Sequence, residues 1–470
     1  MQASEVDRTL ELSGEALVAA LTDLVEGQYL ERKSGRVSAK DLAVPLVAMA
    51  NSEGGVIVVG LHGGQPDGVP EGKVNDLRQA SLDHTEPPVR CSVDEREVPG
   101  SDGVARTLLI LRVDPSESMH RLTNGTVYLR VGDESKKLSA AQSQELAYDR
   151  GAVMYEAAPV RMEVADLDGS QLEAYRSVLG APTVESMLRA RDLVDRQGSV
   201  TTAACLLFDD RPQTTFPNAL IRVLRYGDTE RGTGRSMSLE DGADLRFEGS
   251  IPAQIHRAAA TIEDLMPKWR QLTDAGRFEP RPRIPRDAWL EGLVNAVIHR
   301  SYSMMGDHIR VEIFPNRIEI HSPGRFPGIV NPDRPLEIDR YARNPRIARV
   351  CSDLGITREL GEGIRRIFEE MRGRGLVDPV YTQSSAAVRL VLWASDALPS
   401  EVLARLTPSA RAILDVMRQG QRPMGTGEIS DLADVTRMTA TRALRQLQDE
   451  GLVTWDGRTA KDPRATWRMA

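Results

Sequence analysis

This 470-residue sequence has few cysteines, and those that it has lie far apart. Cys91, Cys205 and Cys351 show no spacing typical of metal ligands, so we expect buried thiols in a reducing compartment. No apolar run reaches the length of a membrane span, and the first residues lack the basic start and apolar core of an export signal. These absences argue against a disulfide-stapled secreted protein and a membrane protein, and they predict a cytoplasmic one.

Internal repeats, low-complexity tracts and the phosphate-binding loop of P-loop ATPases are also missing. None of the seven histidines belongs to a recognisable Ser/His/Asp or Cys/His arrangement. What is present is an ordinary globular composition, with 41% hydrophobic and 27% charged residues. The length corresponds to about three domains. We therefore expect an α+β multidomain protein, with domain boundaries marked by turns and linkers.

The first predicted domain covers residues 1–150 and mixes helices with strands. A run of apolar residues at 56–60, preceded by two glycines, is typical of a buried strand. Helices are predicted at 13–25, with Ser13 as the cap, and at 39–51. Further strands are predicted at residues 29–33, 106–113 and 126–131.

Four motifs of this domain stand in a specific order: ERK at 31–33, AMAN at 48–51, GGVIVVGL at 54–61 and YLRVG at 128–132. In order and spacing they resemble the AlbA-like domain that bacterial regulators share with the animal Schlafen proteins. In Schlafen nucleases, this domain is associated with carboxylates that hold a divalent metal for RNA cleavage. The resemblance implies that Glu26 and Glu31 match two of those metal ligands.

The third acid of that set is missing from the position at which the resemblance places it. The loop after the glycine-ended strand carries His62 and Gly63. Asp67 follows a few residues later and could substitute for the third acid only if this loop folds back. Metal-dependent hydrolysis needs carboxylates to place the cation and activate its water. The alternative is that neither residue binds a metal ion: Glu26 is then a solvated residue at a helix end, and Glu31 is a charged residue on an edge strand. A further alternative is a docking surface for nucleic acid or protein, formed by Lys33, Lys40, Arg121 and Arg130.

The second predicted domain covers residues 160–395. A helix at 290–302 places Glu291 and Asn295 four residues apart on one face, where two oxygen-bearing side chains can hold Mg²⁺ on a triphosphate. Two alternating segments, 310–314 and 317–321, predict a hairpin. Strands are also predicted at residues 201–208 and 219–225, and the charged, glycine-rich stretch 227–238 is expected to be a loop.

Glycine-rich turns follow the hairpin, and together with the helix they resemble the ATPase-like domain of the gyrase, heat-shock protein, histidine kinase and mismatch-repair (GHKL) superfamily. In this resemblance the domain is a divergent α/β sandwich that takes ATP with Mg²⁺. Glu291 is then the catalytic base, Asn295 is the Mg²⁺ ligand, and Ser322 replaces the aspartate that reads adenine. The glycines implied near the lid and the phosphates are Gly324, Gly328, Gly361 and Gly363.

The last predicted domain, residues 402–470, has the pattern of a winged helix-turn-helix. Helices are predicted at 409–419 and 428–432, and Ala440, Ala443, Leu444 and Leu447 form the inner face of a third helix. Strands at 452–455 and 465–468 flank a basic turn and form the wing. An outward polar face on the third helix is typical of a recognition helix in the major groove. The predicted DNA-binding residues are Arg437, Thr439, Thr441, Arg442, Arg445, Arg458 and Lys461.

The charge balance bears on the partner. Residues 401–470 contain 11 Lys and Arg against 9 Asp and Glu, a net +2 in a chain of net −8. Such a weakly basic module holds duplex DNA through the local placement of arginines, and dimerisation would add a second half-site. The sequence therefore predicts a DNA-binding transcriptional regulator, a homodimer with a nucleotide effector and no membrane contact. The alternatives are a Schlafen-like metal-dependent nuclease and an ATP-dependent nucleic-acid remodeller. A helix-and-hairpin unit that packs only on protein is the alternative to DNA binding.

Overall fold

The fold was obtained as a computed structural model of the chain. The structure describes residues 3–100, 102–151, 153–272, 277–326, 335–337, 342–357, 362–384, 386–398, 402, 405–420, 422–457 and 465–469.

A four-stranded sheet forms the N-terminal domain. Its first two strands, β1 (Leu30–Lys33) and β2 (Gly55–Val59), are parallel. The antiparallel strands β7 (Ala105–Val113) and β6 (Cys91–Pro99) complete the order β1-β2-β7-β6. The other elements are α1 (Ala3–Leu10), α2 (Gly14–Asp23), α3 (Ala39–Ala50), β3 (Leu61–His62), β4 (Gln65–Pro66), α4 (Glu71–Asp83), β5 (Thr85–Glu86), β8 (Arg121–Leu122), β9 (Tyr128–Val131), β10 (Glu134–Lys137) and α5 (Ala140–Asp149).

The apolar run of β2 is continuous because helices cover both faces of the sheet. Ile57 and Val59 belong to the core that includes α3 and α4, whereas Val56 and Val58 belong to a separate core with α1 and α2. Successive side chains of a strand point to opposite faces, so both sets must be apolar. The predicted buried strand is therefore central to the domain.

A six-stranded sheet forms the middle domain. In chain order its strands are β11 (Ile221–Tyr226), β12 (Leu239–Phe247), β15 (Ile309–Phe314), β16 (Arg317–Pro323), β17 (Val380–Gln383) and β18 (Ala387–Trp393). Their spatial order is β12-β11-β15-β16-β18-β17, with β11 and β15 parallel and every other pair antiparallel. The remaining elements are α6 (Gly169–Leu179), α7 (Val184–Ala190), α8 (Thr202–Phe208), α9 (Ile251–Leu265), β13 (Lys268–Leu272), β14 (Phe278–Pro282), α10 (Arg286–Ile298), α11 (Pro345–Asp353) and α12 (Gly363–Gly373).

One predicted strand of this domain is wrong. Residues 202–208 form the helix α8, and the Thr201 side chain accepts a hydrogen bond from the backbone N–H of Ala204 (3.3 Å). All seven residues of α8 are buried. A helix covered on every side has no polar face, so its sequence lacks the 3.6-residue period that separates a helix from a buried strand. The predicted strand at 219–225 and the predicted hairpin are confirmed as β11, β15 and β16.

A third unit begins at α13 (Pro408–Gly420) and continues through α14 (Thr426–Leu432) and α15 (Arg437–Asp449). Strands β19 (Val453–Trp455) and β20 (Trp467–Met469) pair antiparallel behind the helices. This unit has its own apolar cluster, described below. The predicted class, an α+β multidomain protein ending in a helix-turn-helix domain, is confirmed. Among the described residues, no helix is long and apolar enough to cross a membrane.

Candidate functional sites

The third helix of the C-terminal unit has one buried and one exposed face. Its buried face consists of Ala440, Ala443, Leu444 and Leu447, which pack against α13 and β19 residues in the cluster that also holds Ile413 and Val453. Arg437, Arg442 and Arg445 are exposed, whereas Thr439 and Thr441 are partly buried. The structure therefore presents three cations on the outward face of α15. Their contact with DNA stays a prediction.

The start of α15 is fixed by local hydrogen bonds. The Thr436 hydroxyl oxygen accepts from the backbone N–H of Thr439 (3.2 Å), and the two threonine hydroxyls lie 2.9 Å apart. Such a cap satisfies a donor that the first turn of a helix leaves open. The hydroxyl of Thr439, a residue predicted to contact DNA, is thus already engaged in the cap.

The wing is anchored on the helices by two tryptophans. The rings of Trp455 and Trp467 lie 4.9 Å apart, and the indole N–H of Trp467 donates to the hydroxyl of Thr426 at the start of α14 (3.0 Å). The wing tip, with the predicted DNA-binding residues Arg458 and Lys461, lies outside the described residues.

In the middle domain, the structure brings together three residues that the ATPase resemblance selected. Glu291 and Asn295 are on α10, and Gly363 begins α12. A Cβ atom on Gly363 would collide with a carboxylate oxygen of Glu291 and would lie 3.0 Å from the amide nitrogen of Asn295. The backbone at the start of α12 therefore lies directly against these two polar side chains.

Glu291 also has a cationic partner on α12. Its carboxylate lies 3.2 Å from a guanidinium nitrogen of Arg366, one turn into that helix. The N-terminal end of a helix carries a partial positive charge, so both the helix and the arginine place positive charge next to the Glu291 carboxylate. Gly328 and Gly361, which the resemblance placed near the lid and the phosphates, lie outside the described residues.

Ser322 and Gly324 end β16 in a tightly packed segment. The buried Ser322 hydroxyl donates to the backbone carbonyl of Ala296 on α10 (2.7 Å). Gly324 has a φ of +103°, and a Cβ there would lie 2.8 Å from the Ser301 side chain and 2.9 Å from the Arg343 guanidinium. A glycine is required at this position for its backbone conformation and for space. The Ser322 hydroxyl ties the strand to the helix that carries Asn295.

In the N-terminal domain, the acids that the Schlafen resemblance selected each have partners of their own. The Glu26 carboxylate accepts from the backbone N–H of Arg32 (2.6 Å). Glu31 is buried and forms ion pairs with Arg130 and Lys33. A metal ion at Glu31 would therefore have to displace two cations.

Asp67, the possible substitute for the missing third acid, is used within its own loop. It accepts hydrogen bonds from the Ser34 hydroxyl and from the backbone N–H of Gly35 (3.2 Å). These bonds join the loop after β4 to the loop after β1, so Asp67 has a structural role in this arrangement.

A charge cluster that the sequence analysis missed lies on the sheet face opposite α9 and α10. Glu312 and Glu319 are directly paired across β15 and β16, and both are almost fully buried. With His321 they form the one group of three potential metal ligands among the described residues. The available signal was the period of the hairpin, which puts Glu312, Glu319 and His321 on the same face.

Three arginines neutralise these buried carboxylates. Arg317 donates to Glu319 (2.6 Å), Arg389 lies 2.8 Å from the same oxygen, and Arg231, from the loop 227–238, contacts both glutamates. We therefore interpret the cluster as an ion-pair network that holds this loop on the sheet. Burial alone would lower the pKa of His321, but its hydrogen bonds to the two glutamates raise that pKa above its ordinary value.

The N-terminal and middle domains meet through polar contacts close to Gly324. Glu53, which comes directly before Gly54 and Gly55 at the start of β2, lies 2.8 Å from Arg325 and accepts from the Gln383 amide (3.1 Å). Asp149, at the end of α5, forms an ion pair with the buried Arg343. Glu145 accepts from two hydroxyls in the loop after α10, those of Ser301 (2.9 Å) and Ser303 (2.7 Å). The segment that the ATPase resemblance assigned to adenine therefore contacts the N-terminal domain directly.

Three family models match separate parts of the chain in the predicted order. Residues 26–139 match the model described as "Schlafen, AlbA_2". Residues 306–392 match "Putative ATP-dependent DNA helicase recG C-terminal", and residues 410–457 match "IclR helix-turn-helix domain". The three-part architecture predicted from the motifs is thus confirmed. The chain carries a Schlafen-type AlbA domain, a RecG-C-terminal-like ATPase-type domain and an IclR-type helix-turn-helix domain.

Comparison with whole proteins adds little to these matches. No curated protein matches the chain. Among solved structures, the crystal structure of the DIP2311 protein from Corynebacterium diphtheriae is similar at 20% sequence identity. The similarity covers 99% of this chain and 97% of that one, with a TM-score of 0.43.

Proposed function

We propose that the protein is a transcriptional regulator that binds duplex DNA through its winged helix. The observation that carries this proposal is the exposed face of α15, where Arg437, Arg442 and Arg445 stand opposite a fully apolar buried face. A recognition helix needs this division, because one face must pack while the other meets phosphates and base edges. Charge outside the helix contributes little, since residues 401–470 have a net charge of only +2.

The modest charge supports binding as a homodimer. One such domain neutralises few phosphates, whereas two copies double the contacts and read two half-sites. Under this proposal the fraction of DNA bound falls steeply once the protein concentration drops below the dimer dissociation constant. It also falls with increasing salt, because each phosphate contact releases counterions.

We further propose that the ATPase-like domain senses a purine nucleotide bound with Mg²⁺. Glu291, Asn295 and the start of α12 lie together, which is the juxtaposition that a triphosphate site needs. The interdomain contacts of Arg325 and Arg343 lie next to Gly324, so a ligand that moved this segment would also disturb the N-terminal domain. A ligand changes DNA binding only to the extent that it prefers one arrangement over another.

The ATP-driven remodeller remains an alternative that rests on the same residues. It differs from the sensor in requiring hydrolysis, for which Glu291 would have to leave Arg366 and activate a water molecule. The metal-dependent nuclease is the other alternative, and it would require Glu31 to exchange Arg130 for a metal ion. Multiple turnover of ATP or metal-dependent cleavage of RNA would favour these functions over the regulator.

The DNA proposal is tested by gel shift and fluorescence anisotropy with the full chain. The probes are the DNA upstream of the protein's own coding region and a scrambled duplex of the same length and composition. We expect specific retardation of the upstream duplex, and a change in its midpoint when ATP and Mg²⁺ are added. Equal and weak binding of both duplexes at every salt concentration would contradict the regulator. Unchanged midpoints with nucleotide would contradict the sensor alone.

A further inference from the structure

Met438 stands out from the C-terminal domain at the second position of α15. Its side chain is 83% exposed, whereas Met417 and Met424 of the same domain are buried in the apolar cluster. A single exposed apolar residue is ordinary in itself. The position of Met438 is what gives its exposure a meaning, because it lies in the first turn of the helix proposed to read DNA.

Met438 is flanked by the cations of the recognition face. Arg442 follows it by four residues and Arg445 by seven, so all three side chains lie along one side of the helix. They line an open groove of about 520 Å³, together with Thr441, Gln446 and Asp449. An apolar side chain thus interrupts a surface whose other members carry charges or hydrogen-bonding groups.

In the major groove, the only apolar group on a base edge is the 5-methyl of thymine. The first turn of a recognition helix is the part that reaches the base edges. An unbranched, polarisable thioether side chain can adapt its shape to such a methyl group. We propose that Met438 contacts a thymine methyl and thereby specifies an A·T pair in each half-site. This inference rests on the proposed DNA-binding function and adds the base that one residue reads.

The test removes the two apolar partners one at a time. Binding sites are first selected from a random duplex library with the full-length protein, and each thymine of the best site is then replaced by uracil, which lacks only the methyl group. The affinities of the wild type and of Met438→Ala are measured for each duplex. Met237→Ala is the matched control, since Met237 is 56% exposed in the middle domain.

For the wild type we expect one thymine in each half-site at which uracil weakens binding about fourfold, the value of one buried methyl group. Met438→Ala should bind the unmodified site about fourfold less tightly and show no additional loss at that position. Met237→Ala should behave as the wild type does. The inference is overturned if the two losses multiply, or if no thymine is sensitive. Failure of the wild type to enrich any duplex would instead overturn the DNA-binding function.

Discussion

Arg130 lies against Glu31 in the interior of the N-terminal domain, and its guanidinium group also donates to the backbone carbonyls of Gly27 and Leu30. The arginine side chain is fully buried, and that of the glutamate is 9% exposed. These contacts join the motif at 31–33 to the motif at 128–132. Two of the four motifs that carry the Schlafen resemblance are thus joined by an ion pair that stabilises the fold.

Removing the charge of Glu31 should therefore destabilise the protein. Glu31→Gln leaves Arg130 buried without its counter-charge, and we expect a loss of about 3 kcal/mol in the free energy of unfolding. Glu26→Gln is the matched control, because the Glu26 side chain is 37% exposed. This substitution should lower the free energy of unfolding by at most about 1 kcal/mol. Urea unfolding followed by fluorescence measures both. Equal stability of the two variants would contradict the structural role of Glu31.

Cleavage of RNA should be slow or absent. The candidate acids Glu26 and Glu31 are engaged with Arg32, Arg130 and Lys33, so they offer no vacant pair of carboxylates to Mg²⁺ or Mn²⁺. Structured RNA incubated with the protein and either metal, and analysed on denaturing gels, checks this. Metal-dependent cleavage that disappears in Glu26→Gln, a variant expected to fold, would instead support the nuclease.

Loss of one recognition-face arginine should weaken DNA binding without unfolding the domain. We expect Arg442→Ala or Arg445→Ala to cost about 1–3 kcal/mol of specific binding if the residue contacts a base. Both side chains are exposed, so the thermal midpoint should stay constant. Arg189→Ala, at an exposed position of α7 in the middle domain, serves as the control in anisotropy titrations. Unchanged affinity for DNA in both α15 variants would contradict the assignment of α15 as a recognition helix.

Substitutions at the two residues proposed to act on a Mg²⁺-bound nucleotide should have different effects, one on nucleotide binding and the other on hydrolysis. Asn295→Ala removes the proposed Mg²⁺ ligand, and we expect weaker nucleotide binding in calorimetry together with a loss of its effect on DNA affinity. Glu291→Gln should retain binding and its coupling to DNA, because a general base is needed only for hydrolysis. If the wild type gives no heat with purine nucleotides at millimolar concentration, the sensor and the remodeller fail together.

Glu156 should make stability depend on pH. It is fully buried, and its carboxylate accepts from the backbone N–H groups of Arg346 (2.8 Å) and Ile347 (3.1 Å) at the start of α11. Burial raises its pKa from the ordinary 4.5 to about 7, and the hydrogen bonds lower it only in part. Between these two values the folded protein retains a proton that the unfolded chain releases, so stability should fall as the pH rises.

Glu156→Gln has no such titration. Relative to the variant, the wild type should lose up to about 3 kcal/mol between pH 4.5 and 7. Urea unfolding of both proteins across this range gives the difference between their free energies of unfolding at each pH. The change of this difference with pH does not depend on how much the substitution itself destabilises the protein. Parallel curves would contradict the raised pKa.

The sequence predicted one helix whose two faces differ in burial and one strand that is buried on both faces. The period of α15 identified its buried face because that helix has solvent on the other side, and the apolar run of β2 identified a strand covered twice. The helix α8 was mistaken for a strand because it is covered all round and too short for its length to decide. A difference in burial between two faces identifies a helix, whereas a short segment that is buried throughout can be a strand, as β2 is, or a helix, as α8 is.

The side-chain partners that could not be predicted at the sites are residues distant in sequence. The motifs placed Glu291, Asn295 and Gly363 in one site through resemblance, and the structure does bring them together. The motifs could not reveal that Glu31 pairs with Arg130, which is 99 positions away in the sequence. Nor could they reveal that Arg231 pairs with Glu312, which is 81 positions away. Such partners depend on the register of strands and the path of loops, which no local spacing encodes.

The apolar cluster of the winged helix is closed on itself, since all its members lie between Leu398 and Met469. Among the residues that the structure describes, this cluster includes no side chain from the N-terminal or middle domain. The exposed face of α15 can therefore change residue by residue with no repacking elsewhere in the chain. If α15 reads DNA as proposed, descendants of this protein could acquire new target sequences while the rest of the molecule stayed the same.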